Sequence, residues 1–348
     1  VQEGFLKKIF DRLKFRGLRI ATLQAAQLFG VRNLLVRMDT NNICNLRCEM
    51  YPEVPVRKSK RFKPMVMKLE DFKLVAGQVF PRAHIVYLSC AGEPLVTPGF
   101  ADYIKAAAVY RVPFIAFVTN VMPLREDVVD ACIHNRISQI AISADGVRAE
   151  SFEAIRTGAS FSRLLEKLSL IRDMKKAAGS NLPSIRLNYI VSKPNWREVT
   201  EFVDLAYRYG ADSIQFRPLT PFENTPWTVD NQLTPEEQKQ VLDLLKQAGE
   251  KAAGYGIELL GHGEFTGSEL QEEGSLVDRC VYPWYYRYIG PDGAMKVCPS
   301  RKPIGNLLEK NYADIIRSDK FRSVKREVLR KAEFCRLNCA PGASATEL

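Results

Sequence analysis

"NLLVRMDTNNICNLRCEMYP", residues 33–52, begins as a short apolar run and ends as a loop carrying Cys44, Cys48 and Tyr51. The run at 33–39 has the length of a single strand. The same unit recurs down the chain. Strand-length runs are predicted at 84–89 ("HIVYLS"), 114–119 ("FIAFVT"), 138–143 ("SQIAIS"), 184–191 ("SIRLNYIV") and 212–217 ("DSIQFR"). Helical patterns such as "DFKLVAGQVF" and "WREVTEFVDLAYRYG" lie between them. Repeated strand-then-helix order implies parallel pairing with right-handed crossovers. Six units fall short of the eight of a closed barrel. The predicted fold class is therefore α/β, a partial (β/α)6 TIM-like barrel.

In such a fold, chemistry gathers where strands end and loops begin. The Cys44 loop follows the first strand and "AGEPL" (91–95) the second. "TN" (119–120) ends the third strand, "SADG" (143–146) the fourth and "FRPLTP" (216–221) the sixth, while Asn188 lies in the fifth. Six strands thus deliver polar or Gly/Pro-rich segments to one rim.

The alternation stops near residue 225. "LTPEEQKQVLDLLKQAGEKAAGYG" then predicts a long helix, with Thr234 as N-cap, Pro235 at its first position and Glu237 completing a capping box. "YRYIGPDGAMKVC" (286–298) predicts a hairpin turning at Pro291-Asp292-Gly293. A basic helical stretch at 311–331 leads to "CRLNC". The expected organisation is a helical segment at 1–32, the barrel at 33–257 and a small Cys-rich α+β domain at 258–348.

The 348 residues suit one large domain and a smaller one. No apolar run approaches a bilayer-spanning length and no signal peptide is evident, so a cytoplasmic protein is expected. The net charge of +10 is spread out, concentrated locally at 7–19, 57–63 and 320–331. No aromatic-interleaved basic stripe accompanies it, and no nucleic-acid partner is expected. Phe5, Leu6, Ile9, Phe10 and Leu13 recur at helical period among basic residues. That pattern suits a helix packed on the main domain better than peripheral contact with a membrane surface.

Eight cysteines in a chain of this class suggest metal or redox chemistry before disulfides. Cys132 falls on the apolar face of a helical pattern and reads as core. Cys280, Cys298, Cys335 and Cys339 lie in a loop-rich region, separated by 17, 36 and three residues. Four thiolates suit zinc or a 4Fe–4S cluster, and the spacing is not that of a ribbon of two short knuckles. Arg217, Tyr285 and Tyr286 fall where a cavity is expected, with packing the simpler role. The three histidines, 84, 134 and 262, lie apart and receive no catalytic role.

Taken together, these segments resemble the radical S-adenosylmethionine (SAM) enzymes with a C-terminal SPASM or twitch extension, over residues 33 to 340. Cys44-Asn-Leu-Arg-Cys48-Glu-Met-Tyr51 is similar to the family's CxxxCxxC loop, with Tyr51 in the third cysteine's position. "AGEPL" resembles the segment that binds the SAM amino group: Gly92 and Glu93 match, and Ala91 departs from the usual glycine. The resemblance implies Asn120 and Asp145 as SAM-binding residues, Ser143 near the ribose, Arg156 opposite the SAM carboxylate, and Asn188 as a polar contact. It implies three ligands, Cys44, Cys48 and whatever serves at 51, for a SAM-binding 4Fe–4S cluster. It implies Cys280, Cys298, Cys335 and Cys339 as ligands of an auxiliary 4Fe–4S cluster acting as an electron relay.

The implied activity is SAM cleavage to a 5′-deoxyadenosyl radical that abstracts hydrogen from a substrate, in a dehydrogenation or similar oxidative or redox-neutral modification. A reducing partner such as flavodoxin or ferredoxin is implied. Residues 1–32 are too few for the leader-binding domain of peptide-modifying relatives, which favours a small molecule or a peptide held otherwise. Three readings of Tyr51 stay open: a substitution of a natural cysteine, a tyrosinate ligand, or a non-catalytic barrel that keeps only the C-terminal metal.

Overall fold

The computed structural model describes residues 16–51, 57, 59–221, 225–261, 265, 280–331 and 335. The periodic residues at 5–13, His262 and Cys339 lie outside the described residues. Helix α1 (Arg16–Leu28) leads into β1 (Leu34–Met38), which is buried along its length. Strands β2 (Ala83–Tyr87), β3 (Phe114–Thr119), β4 (Gln139–Ser143), β5 (Ser184–Val191), β6 (Ser213–Pro218) and β7 (Glu258–Leu260) follow, each parallel to the one before. The crossovers carry α2 (Leu69–Val79), α3 (Phe100–Ala108), α4 (Glu126–His134), α5 (Ala149–Ile155), α6 (Phe161–Ala177), α7 (Val199–Arg208), α8 (Pro226–Asp230) and α9 (Pro235–Gly254).

Strand periodicity divides the sheet's two faces. Val36, Val86, Phe117, Ile140, Ile142, Leu187 and Phe216 share the large core with the crossover helices. Cys132 belongs to that core and is fully buried, as its position on the apolar face predicts. On the opposite face Leu35, Ile85, Tyr87, Phe114 and Ala116 pack with Ile20 and Leu23 of α1 and with Trp284, Tyr285 and Tyr286. Helix α1 thus packs on the face of β1–β3 opposite the large core. Burying side chains of this size stabilises the fold by about 1.5–3 kcal/mol each. Tyr285 and Tyr286 are buried in this cluster, which agrees with the packing role.

The C-terminal region extends the same sheet. After α10 (Tyr282–Tyr285), β8 (Tyr286–Ile289) pairs parallel with β1, and β9 (Ala294–Lys296) and β10 (Gly305–Asn306) continue antiparallel. The sheet order is β10-β9-β8-β1-β2-β3-β4-β5-β6-β7. The expected hairpin is present, and Gly293 at φ +78 makes its turn; a Cβ there would meet Leu308 and Asn306. Helices α11 (Tyr312–Arg317) and α12 (Asp319–Leu329) occupy the basic stretch.

Two differences from the sequence reading concern lengths. Strand β2 ends at Tyr87, two residues before the expected end, and Leu88 N still donates to Ala116 O of β3 at 2.8 Å. Strand β7 was not expected: "ELL" is too short to show periodicity, yet it pairs with β6 across the expected boundary at 257/258. The capping box of α9 is present, with Glu237 N donating to Thr234 Oγ1 at 3.2 Å and Thr234 N to Glu237 Oε2 at 2.9 Å.

Candidate functional site

Two loops at the strand C-termini are held together by side chains that the sequence reading passed over. Asp39, just past β1, accepts from the backbone N–H of Ala91 at 3.1 Å and from that of Cys90, and from the Tyr288 hydroxyl at 3.0 Å. Asn41 donates to Glu93 O at 2.8 Å and Thr97 Oγ1 at 2.7 Å, and accepts from Ile43 N at 2.8 Å. Glu93 N in turn donates to Ile43 O at 2.7 Å. The Cys44 loop and the "AGEPL" loop are thus one hydrogen-bonded unit. Gly92 is required there, since a Cβ would collide with the Asn41 carbonyl. The only sequence signal was a pair of Asx residues at a strand end, the type that hydrogen-bonds nearby backbone.

Glu93 is 4% exposed, and its carboxylate accepts from Thr119 Oγ1 at 2.6 Å, Asn120 N at 2.8 Å and Leu95 N at 3.1 Å. Burial raises its pKa to about 7 against these bonds. Its carboxylate ties β3's end to the "AGEPL" loop. Asn120 donates to Asn45 Oδ1 at 3.0 Å and contacts Cys44 Sγ at 3.8 Å, so it orients the cysteine loop. Leu46 N donates to Cys44 Sγ at 3.4 Å. Burial pushes both the Cys44 and Cys48 thiols upward, with Arg156 opposing at Cys48.

Tyr51 follows in a turn closed by its N–H on Cys48 O at 3.2 Å. Its hydroxyl accepts from Arg156 Nη1 at 3.2 Å. Burial raises the Tyr51 pKa, with Arg156 pulling the other way. Arg156 also donates through Nε to Asp145, whose other oxygen accepts from Ile190 N at 2.7 Å. Asp145 is fully buried, and its carboxylate is engaged in fixing Arg156 and β5.

Cys44, Cys48, Tyr51, Gly92, Glu93, Asn120, Ser143 and Arg156 line one cavity of about 230 Å³. Cys90 and Arg57 border it too, and Arg57 donates to Ala91 O at 2.5 Å. Asn188 pairs in register with Ser143, and its buried Oδ1 has no hydrogen-bond partner among the described residues. A buried acceptor of this kind calls for a donor from outside the chain. A ribose hydroxyl beside Ser143 would supply one, so these residues fit SAM. For iron the donors are two thiols and one phenol, all of types that bind it.

The C-terminal thiols form a second location. Cys280, Cys298 and Cys335 are half-buried. Arg301 Nη2 donates to Cys335 Sγ at 3.1 Å, and Arg301 N to Cys298 O at 3.2 Å. Burial raises the Cys298 thiol. Among the described residues no three His, Cys, Asp or Glu side chains form a complete metal-binding group; Cys339, the fourth thiol, lies outside them. Half-buried thiols with a guanidinium beside one of them fit a thiolate-ligated cluster. No described helix is long and apolar enough to cross a membrane.

Comparisons with known proteins agree with this geometry. Residues 280–340 match the SPASM family, an iron–sulfur cluster-binding domain. The mycofactocin maturase MftC of Mycobacterium tuberculosis is 27% identical over 260 residues, 74% of this chain and 62% of that protein. The chain therefore spans about three fifths of the length of that relative. A GTP 3′,8-cyclase of Alkaliphilus metalliredigens is 25% identical over 212 residues, 60% of this chain and 63% of that protein. Among solved structures, Streptococcus suis SuiB bound to S-adenosylmethionine superposes with a TM-score of 0.67 at 13% identity, covering 85% of this chain and 68% of that one. The anSMEcpe structure with bound AdoMet and a Cp18Cys peptide gives 0.62 at 14% identity, covering 87% of each chain.

Proposed function

We propose that this chain, which carries a radical SAM partial barrel and a SPASM domain, binds SAM in the rim cavity and serves hydrogen abstraction from a peptide substrate. The observation that supports this most is convergence: four separate strand ends bring the Cys44 loop, Glu93, Asn120 and Ser143 to a single cavity wall. In this reading residues 33–257 form the barrel, 258–348 the auxiliary domain and 1–32 a leading helical segment.

Each residue has a stated task. Glu93 and Asn41 fix the "AGEPL" backbone where the SAM amino group would lie. Ser143 and Asn188 offer polar atoms to the ribose. Arg156, immobilised by Asp145, presents a fixed cation for the SAM carboxylate. Cys44 and Cys48, with position 51, would hold a 4Fe–4S cluster, which when bound supplies the electron that cleaves SAM to methionine and a 5′-deoxyadenosyl radical. Cys280, Cys298, Cys335 and Cys339 would hold the auxiliary cluster, whose contribution is one-electron relay to or from a donor of the flavodoxin or ferredoxin type.

A peptide is preferred over a small molecule because MftC is named a maturase and SuiB has been solved with its precursor peptide SuiA. The small-molecule expectation rested on the short segment before the barrel, which carries less weight than these likenesses. The test is anaerobic reconstitution with iron and sulfide, followed by assay for 5′-deoxyadenosine with SAM and dithionite. The Tyr51 form should bind SAM and cleave it slowly or not at all; the Tyr51→Cys form should cleave it readily. SAM binding without cleavage in either form would favour a second reading, a non-catalytic SAM-binding scaffold, which the Arg156-bound phenol at the third ligand position already supports.

A further inference from the structure

Arg301 lies in none of the segments that carry the family resemblance, yet it is bonded to one of the C-terminal thiols. Its Nη2 donates to Cys335 Sγ at 3.1 Å and its Nη1 to Glu327 Oε2 at 2.6 Å. Glu327, on α12, accepts through its other oxygen from Ser323 Oγ at 3.1 Å. The Arg301 side chain is 10% exposed. Its backbone N–H closes a turn on Cys298 O at 3.2 Å. One guanidinium is therefore fixed between a helix and the thiol set, with its backbone bonded to the residue that carries a second thiol.

We propose that Arg301 sets the reduction potential of the auxiliary cluster, holding its one-electron couple more positive than four thiolates alone would. The proposal rests on the reading of Cys280, Cys298, Cys335 and Cys339 as ligands. Its physical basis is local. Hydrogen bonds to the sulfurs and net charge tune the potential of an iron–sulfur cluster. The reduced form carries one more negative charge than the oxidised form, so a nearby cation and an N–H on a ligand sulfur favour it. At 10% exposure the guanidinium is screened less than a surface charge. Arginine suits the position because its planar fork reaches a carboxylate and a sulfur at once, which an ammonium cannot do in the same geometry. Glu327 orients the guanidinium and offsets part of its charge, as outer-shell partners do at metal sites.

The whole chain, reconstituted anaerobically, would be titrated reductively and followed by electron paramagnetic resonance. The auxiliary signal is the one that persists when Cys44 and Cys48 are both replaced by serine. Arg301→Gln should keep its iron and sulfide, while the reduced-to-oxidised ratio at a fixed potential falls about tenfold, equivalent to ~59 mV for a one-electron couple. Arg301→Lys should fall less, because the charge stays and only the fork is lost. Glu327→Gln should shift the ratio the other way. A loaded Arg301→Gln cluster with an unmoved midpoint overturns the proposal. Should Arg301→Gln fail to load, Glu327→Gln decides: an upward shift supports it and no shift overturns it. If the unaltered chain binds no cluster beyond Cys44 and Cys48, the ligand reading itself fails, a result distinct from a loaded cluster whose potential does not move.

Discussion

Arg156 donates one N–H to the Tyr51 hydroxyl at 3.2 Å and another to the Asp145 carboxylate. The guanidinium also lies 5.6 Å from the centre of the Tyr51 ring. Asp145 is fully buried and Arg156 is 4% exposed, so this cation has little freedom to leave. It links Tyr51 of the cysteine loop to the segment that follows β4.

Replacing Arg156 with alanine should therefore do two separable things. It should strand the buried Asp145 charge, a change that costs about 3–5 kcal/mol when one partner of a buried pair is removed. It should also weaken SAM binding at least tenfold, roughly 1.4 kcal/mol, by removing the carboxylate's partner. The double variant Asp145→Asn/Arg156→Met distinguishes these effects. It should recover much of the unfolding free energy in denaturant titration while calorimetry still finds SAM bound weakly. Full recovery of SAM affinity in the double variant would show that Arg156 acts only on stability.

Two of the buried carboxylates near the site, Glu93 and Asp39, make a signed prediction about pH. Burial raises Glu93 from 4.5 to about 7 and Asp39 from 3.8 to about 6. A carboxyl whose pKa is raised on folding holds more protons folded than unfolded between those two values. Stability must then fall as pH rises through that window, and level off above the folded value. For Glu93 alone the shift corresponds to about 3 kcal/mol, at 1.36 kcal/mol for each unit. Denaturant midpoints should decline from pH 4.5 to 7, and Glu93→Gln should flatten the decline between pH 6 and 7. A midpoint that climbs over this range would mean that Glu93 stays ionised on its three donors.

Gly92→Ala tests the joint between the two loops. The new methyl would meet Asn41 through its carbonyl and its Oδ1, the latter at 2.5 Å. Asn41 cannot rotate away without releasing Glu93 O and Thr97 Oγ1. Overpacking of this kind costs about 1–3 kcal/mol. The chain should still fold, with SAM affinity reduced because the "AGEPL" backbone has moved. Unchanged affinity would indicate that this backbone does not touch SAM.

Much of this architecture is legible in the sequence because parallel strands buried on both faces read as continuous apolar runs, as 114–119 and 138–143 do. The rim was legible for the same reason: strand ends fix where loops must converge. What escaped detection depends on tertiary contacts. Asp39 and Asn41 carry no periodicity of their own, and their role exists only because the second loop comes back to meet them. Strand β7 has three residues and gains its identity from β6. Arg301 is one basic residue among many in a chain with 50 lysines and arginines, and only its contact with Cys335 singles it out.

Tyr51→Cys is the substitution that bears most directly on function. A cysteine at position 51 would supply a third thiolate to the loop and release Arg156 from the phenol. Cys44, Cys48 and the new thiolate would then hold a 4Fe–4S cluster able to reduce SAM. Iron should rise from about four to about eight per chain if both sites hold 4Fe–4S clusters. Cleavage of SAM to 5′-deoxyadenosine should switch on or increase strongly. Tyr51→Phe removes the hydroxyl that Arg156 binds without adding a thiolate, so it should gain neither iron nor activity. Should the Tyr51 protein already contain about eight irons and lose about four in Tyr51→Phe, the phenolate is itself the third ligand. A phenolate-to-iron charge-transfer band in resonance Raman spectra would then be present in the Tyr51 protein and absent from Tyr51→Phe. Tyr51→Cys protein that gains neither iron nor 5′-deoxyadenosine would leave the barrel as a binding scaffold.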